Sequence, residues 1–232
     1  MSQEMILFTA VFGHPDMLFD PALPLPDVEV VCWTDMDYVG QTRYRMVKVD
    51  LHELPARKRN RRVKIFWPEV LDCFAYSLYV DSTVRVLVDP RDLIQYLEPG
   101  SDIAQFRAFE RDCLYEEARA VVRLGKDDRE VVRKQVTRYR KEGILPPTGL
   151  WAGTVILRRH TPLMREFCQS WWAEVEAFSH RDQISFPYAV VRSGIRVSEL
   201  PGTIIHNDFV QWRPWYRKGE GWARPAGDER QV

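Results

Sequence analysis

The chain of 232 residues is 45% hydrophobic and 28% charged, values that suit a soluble globular protein with a substantial core. Its 33 Lys and Arg balance its 33 Asp and Glu, which excludes a global attraction to nucleic acid or anionic membrane and leaves any such role to local clusters. Four scattered cysteines (Cys32, Cys73, Cys113, Cys168), with no C-x-x-C pair, argue against a disulfide framework or zinc centre and for free thiols in a reducing, cytoplasmic setting.

The opening run MSQEMILFTAVFGHPD has a short apolar stretch and no basic flank, so it reads as a first strand over 5–12 rather than a signal peptide. No stretch approaches the roughly 20 apolar residues of a membrane span. A Pro-rich connector leads to a second strand, VEVVCWTD, and YRMVKVD alternates as a third. NRRVKIFWPEVL predicts a short helix interrupted near Pro68. YSLYVDSTVRVLVDP gives two strand-like runs around Asp81-Ser82-Thr83, and DIAQFRAF a further short strand. Residues 111–143 have helical period with a break near Gly125; Asp127 or Asp128 caps the second helix and Gly143 ends it. GLWAGTVILRR is a strand, and Thr161-Pro162 supplies the N-cap and first position of the next helix. HRDQISFPYAVVRSG is a last helix ended by Gly194, after which IRVSEL and GTIIH complete the sheet. One domain over 1–222 is expected, with 223–232 a disordered tail. Strands alternating with helices predict an α/β fold, a mostly parallel sheet flanked by helices on both faces. Ligands in such sheets sit beyond the carboxyl ends of the strands, where Asp35 and Asp81 both fall.

Asp81 has two readings. Asp-Ser is an ordinary turn pair; alternatively the strand delivers a carboxylate to Mn²⁺ or Mg²⁺ bridging a diphosphate, since such sites take only one or two carboxylates plus phosphates. Thr83 adds only a hydroxyl, which makes the signal weaker than Asp-x-Asp. In ARKRNRRVK, six of the eight residues from Arg57 to Lys64 are basic. A solvated face or nucleic-acid patch is the ordinary reading; yet Arg61 and Lys64, three apart, share a helix face and suit one anionic group. In SHRDQISF, Ser179 and Asp182 fit a capping box, and a helix start facing a cleft would also present Asp182 and Gln183 to a sugar. His206 in GTIIH is either structural or a neutral imidazole ligand. The aromatic and basic tail QWRPWYRKGEGW either stacks on sugar or base faces or seals the core's edge.

In their order, FTAVFGHPD, VCWTD, NRRVK, YSLYVDSTVRV, FRAFERDCLYEEA, GLWAGTVILRRH, WWAEV and RDQISFPYA resemble a glycosyltransferase-like family first catalogued as a domain of unknown function. Its plant members are tied to cell-wall and mucilage polysaccharide, and it has short bacterial and viral members. The resemblance implies a GT-A-like, Rossmann-type enzyme moving a sugar from a nucleotide-sugar donor, a UDP-sugar above all, to a glycan or other hydroxylated acceptor. It places Thr9 and Asp35 near the nucleoside and Arg61 and Lys64 near the donor. Asp81, with Thr83 and His206, would hold Mn²⁺ or Mg²⁺. Arg181, Asp182 and Gln183 would be catalytic in a retaining, metal-assisted transfer, and Arg111, Glu117 and Trp151 would line the acceptor side. The chain departs from the pattern at Ala108, where a histidine is usual, and at Ala152, where an acidic residue is. Both departures motivate the rival expectation of a non-catalytic nucleotide-sugar or glycan binder. A nucleic-acid module, even one glycosylating modified DNA, is the second rival.

Overall fold

Alternation along the strands sorts the apolar residues into two layers. The computed structural model describes residues 3–13, 18–37 and 41–213. In chain order it contains β1 (Gln3–Val11), β2 (Glu29–Thr34), β3 (Arg45–Lys48), α1 (Ala56–Ile65), α2 (Pro68–Cys73), β4 (Phe74–Val80), β5 (Val84–Val86) and a 3-10 segment (Pro90–Tyr96). There follow β6 (Ser101–Gln105), α3 (Leu114–Arg123), α4 (Arg129–Lys141), β7 (Val155–Arg159), α5 (Pro162–Ala177), α6 (Asp182–Ser193), β8 (Arg196–Glu199) and β9 (Val210–Trp212). Seven strands form one sheet in the order β3-β2-β1-β4-β7-β6-β8. Every pairing is parallel except those of β7, which runs against both β4 and β6. The expected mostly parallel α/β sheet is therefore observed, but the expected helices on both faces are not: among the described residues the α-helices of the core pack on one face, and β5, β9 and the 3-10 segment cover the other.

Because side chains alternate across a strand, Ile6, Phe8 and Ala10 of β1 join Tyr79 and Ile156 in a layer completed by α1, α2, α5 and α6. Met5 and Leu7 join Leu78, Val80 and Leu157 in the opposite layer, under β5, β9 and the 3-10 segment. A third cluster ties α3 and α4 to α6 through Leu114, Val121, Tyr139, Ile184 and Tyr188. Among the described residues no helix is long and apolar enough to cross a membrane.

Three local expectations are corrected. The helix at Pro68 is two helices: α1 begins at Ala56, and Pro68 opens α2 at its first position, where the missing N–H costs nothing. GTIIH is a turn rather than a strand, since Thr203 and His206 exchange backbone hydrogen bonds of 2.9 and 3.1 Å. Gly202 makes that turn possible: its φ is +85°, and a Cβ there would lie 2.2 Å from the His206 carbonyl oxygen. The second run of the DST segment leaves the main sheet and pairs instead with β9 as a small antiparallel ribbon. Of the aromatic tail, Trp212 packs against the core, supporting the edge-sealing reading there; residues 214–232, with the expected disordered tail, lie outside the described residues.

Candidate functional site

The carboxyl ends of the parallel strands and the amino end of β7 share one edge of the sheet. Asp35 follows β2, Asp81 follows β4, and Trp151 and Gly153 precede β7. At the centre, Lys64 Nζ lies 2.5 Å from Asp182 Oδ2, and both side chains are nearly buried. Lys64 comes from the last turn of α1 and Asp182 from the first turn of α6. The ammonium also sits 5.4 Å from the centroid of the Tyr79 ring. The Tyr79 hydroxyl in turn donates to Asp81 Oδ1 at 2.8 Å. Gly153 leaves room for this cluster: a Cβ there would come within 2.8 Å of Lys64 Nζ and 3.4 Å of Asp182 Oδ2.

Burial alone would push the Asp182 carboxyl up, but Lys64, Arg61 and Arg181 together hold it below the usual carboxylate range. Arg61 and Lys64 thus both act on the protein's own Asp182 carboxylate. Tyr79 is pushed well above its ordinary value by burial and by the Asp81 carboxylate, so it stays a neutral donor. Gln183 is oriented by donating its Nε2 to the Trp151 carbonyl at 2.9 Å, and the Trp151 ring has the Arg107 guanidinium 4.9 Å from its centroid and a T-shaped contact with Phe186.

Most of the basic run is consumed inside the fold. Lys58 donates to the Glu176 carbonyl, Arg59 pairs with Asp35 at 3.1 Å, and Arg62 stacks over Phe66 and Trp172. Asp35 also accepts from the Gly13 amide, which ties the ends of β1 and β2 to α1. Its partner is Arg59, a residue the sequence reading passed over. Thr9 is fully buried, and its hydroxyl has no hydrogen-bond partner. Arg111 bonds Glu117 at 2.7 Å and Glu110 at 2.8 Å, so Arg111 and the buried Glu117 form a brace at the start of α3. Thr83 is buried, its carbonyl accepting from the Arg213 amide, while His206 is exposed in the 202–206 turn. Among the described residues no group of three or more His, Cys, Asp or Glu is placed to hold a metal ion. Ala152 is buried, with its amide bonded to the Phe106 carbonyl; Ala108 is half-buried and bonds Leu150 likewise.

The capping box is also corrected. Arg181 stands at the N-cap of α6 without a side-chain cap bond, and Ser179 Oγ accepts from the Arg181 amide while donating to Asp127 Oδ2 at 2.5 Å rather than capping the first-turn amides of α6. Asp127 is therefore no helix cap; Asp128 caps α4. Tyr79 and Gly153 complete the set that sequence reasoning missed. Tyr79 was hidden in an apolar strand run, and Gly153 in a strand that in fact starts two residues later.

The family described as "TOD1/MUCI70, glycosyltransferase-like domain" matches residues 26–200. An Arabidopsis thaliana protein named "Probable hexosyltransferase MUCI70" is 30% identical over 151 residues, 60% of this chain and 26% of its own. "Alkaline ceramidase TOD1", from the same organism, is 31% identical over 169 residues, 67% of this chain and 37% of its own. The chain thus spans 26–37% of the length of these relatives. Among solved structures, apo mouse xyloside xylosyltransferase 1 superposes with a TM-score of 0.41 at 11% identity, covering 86% of this chain and 85% of that one. The apo WbbM bifunctional glycosyltransferase superposes with a TM-score of 0.45 at 10% identity, covering 86% and 39%.

Proposed function

The chain belongs to the TOD1/MUCI70 glycosyltransferase-like family, and from that premise we propose that it transfers a sugar from a nucleotide-sugar donor, a UDP-sugar first, to a hydroxyl of a glycan or similar acceptor. The observation that carries this reading is the meeting of Lys64, Asp182, Tyr79 and Asp81 at the carboxyl edge of the sheet, with Arg61 close enough to act on both Asp182 and Tyr79. In the transfer, the bond from the anomeric carbon to the phosphate oxygen breaks with its electron pair leaving on the nucleoside diphosphate. The acceptor oxygen bonds the anomeric carbon, and its proton passes to the departing phosphate. Arg61 and Lys64 stabilise the charge that grows on phosphate. Asp182, kept ionised, holds sugar hydroxyls and offsets the positive charge growing on the ring. Gln183, fixed through Trp151, lies next to it to orient the reacting face. Retention of configuration is the proposed outcome.

Asp81 suits a Mn²⁺ or Mg²⁺ site of the kind in which phosphates supply most ligands, because it is a partly exposed carboxylate at a strand end with one oxygen steadied by Tyr79. Such an ion would supply further charge neutralisation at the diphosphate.

A second reading, amide hydrolysis of a lipid, is favoured by the relative named as a ceramidase. Ser77 and His160 lie 2.8 Å apart, the distance of a nucleophile and its base. Ser77, however, is fully buried, and His160 Nδ1 faces the Phe74 carbonyl at 2.8 Å. The pair serves as an internal strut, and the transferase reading stands ahead. Purified protein given a panel of nucleotide sugars with Mn²⁺ should release nucleoside diphosphate, and D182N and D81A should each lower that release by about 10²-fold. Turnover of a ceramide with no release from any donor would reverse the ranking.

A further inference from the structure

Asp127 lies in the loop between α3 and α4, far in sequence from the RDQ segment, yet its hydrogen bonds go to that segment and to its own turn, and its charge also acts on Lys58 of α1. Its Oδ2 accepts from Ser179 Oγ at 2.5 Å and from the His180 amide at 3.0 Å, and lies 2.7 Å from His180 Nδ1. Its Oδ1 accepts from the Asp128 amide at 2.8 Å. Ser179 Oγ then accepts from the Arg181 amide at 3.1 Å. Ser179 is fully buried and His180 nearly so. Burial and the neighbouring Arg61, Arg181 and Arg57 hold the His180 imidazole down at about 4, against the pull of Asp127, so at neutral pH the ring is uncharged. One carboxylate therefore fixes three successive residues, 179 to 181, immediately ahead of Asp182 and Gln183. Those two begin α6 without a side-chain cap; Ser185 Oγ and Trp171 Nε1 donate to the Asp182 carbonyl, Lys64 pairs with its carboxylate and Gln183 donates to the Trp151 carbonyl, while the tether fixes the chain that enters this turn.

We propose that Asp127 is a positioning residue for the transfer reaction: by tethering Ser179 and His180 it sets the placement of Arg181, Asp182 and Gln183 against the donor sugar. This rests on the transferase reading. A carboxylate is needed because both of its oxygens accept hydrogen bonds. An Asn at this position must turn its NH₂ either toward the Asp128 amide or toward Ser179 and His180, setting donor against donor. The donor-facing groups on α1, Arg61 and Lys64, are carried by a separate element and meet the tethered segment through Asp182 and His180, so loosening the tether should affect chemistry more than donor binding.

The test compares wild-type protein with D127N and with the milder S179A, in two measurements. Steady-state release of nucleoside diphosphate should show kcat falling by about 10²-fold in D127N, and by about tenfold in S179A, with donor KM within about threefold of wild type in both. Hydrogen exchange at the His180 and Arg181 amides should quicken in both variants while the strands of the main sheet keep their protection. A wild-type kcat in S179A with faster exchange overturns the positioning role, as does a rise in KM at constant kcat. Unchanged exchange overturns the tether itself. If D127N does not fold, S179A decides alone. If wild-type protein releases no diphosphate from any donor, the transferase reading falls, and exchange in S179A still decides the tether: quickening retains it and unchanged protection removes it.

Discussion

Lys64 and Asp182 have traded water for each other, and an ion pair so placed is weak support for stability but costly to halve. K64M would leave the Asp182 carboxylate buried with only Arg61 and Arg181 nearby, and should destabilise the protein by about 3 kcal/mol. Adding D182N should recover most of that loss, because no unpaired charge then remains; urea denaturation of the four proteins measures the coupling. Equal stability of the single and double variants would mean the pair is not buried as described. Gly153 supplies a subtler probe of the same spot. Its alanine Cβ would press within 2.8 Å of the Lys64 ammonium, the far end of a flexible chain that can swing aside. G153A should therefore cost about 1 kcal/mol of stability while lowering donor turnover well out of proportion, since the displaced ammonium is the one proposed to stabilise the leaving phosphate. A G153A protein with wild-type turnover would detach Lys64 from the chemistry.

At the scale of elements, β7 is the reversed strand of the sheet and is pinned at its end by His160. The ring Nδ1 faces the Phe74 carbonyl and must carry the proton, so Nε2 accepts from Ser77 Oγ, both at 2.8 Å. Burial, helped by Arg158, lowers the imidazole to about 4 from 6.5. A histidine depressed in the folded state binds more protons when unfolded, so stability falls as pH drops from about 6.5 toward 4. Between pH 7.5 and 4.5 His160 should contribute a loss on the order of 2–3 kcal/mol. H160Q keeps one donor and one acceptor but cannot titrate. Its unfolding free energy across this range should fall by that much less than that of wild type, His180 and the carboxylates contributing equally to both. Parallel curves would mean the ring is protonated, or open to water, in the folded protein.

For the whole molecule, the sequence carried the architecture through period and punctuation. Alternating runs marked β1 to β4, and Thr161-Pro162 and Gly194 marked helix ends that the structure keeps. What it could not carry were pairings across long separations: β5 with β9, Asp127 with Ser179, Arg59 with Asp35. Each joins residues whose local context already offered a sufficient reading, as strand, cap or solvated charge. The same blindness inflated the basic run. Six cations in sequence suggest a nucleic-acid surface, but Arg59 and Lys64 pair with carboxylates, Arg62 stacks on two rings, and Arg61 donates to Asn60 and acts on Asp182, leaving Arg57 and Lys58, whose charge a backbone carbonyl does not cancel. Counterion release scales with the number of phosphates neutralised, at a slope of about −0.9 per contact. With two cations available from this run, binding to duplex DNA should weaken with salt at a log–log slope near −2. Fluorescence anisotropy of a labelled duplex between 25 and 200 mM salt (roughly the range in which such slopes are read) measures it. A slope steeper than about −5 would require a broad cationic face, and would return the nucleic-acid reading to the front.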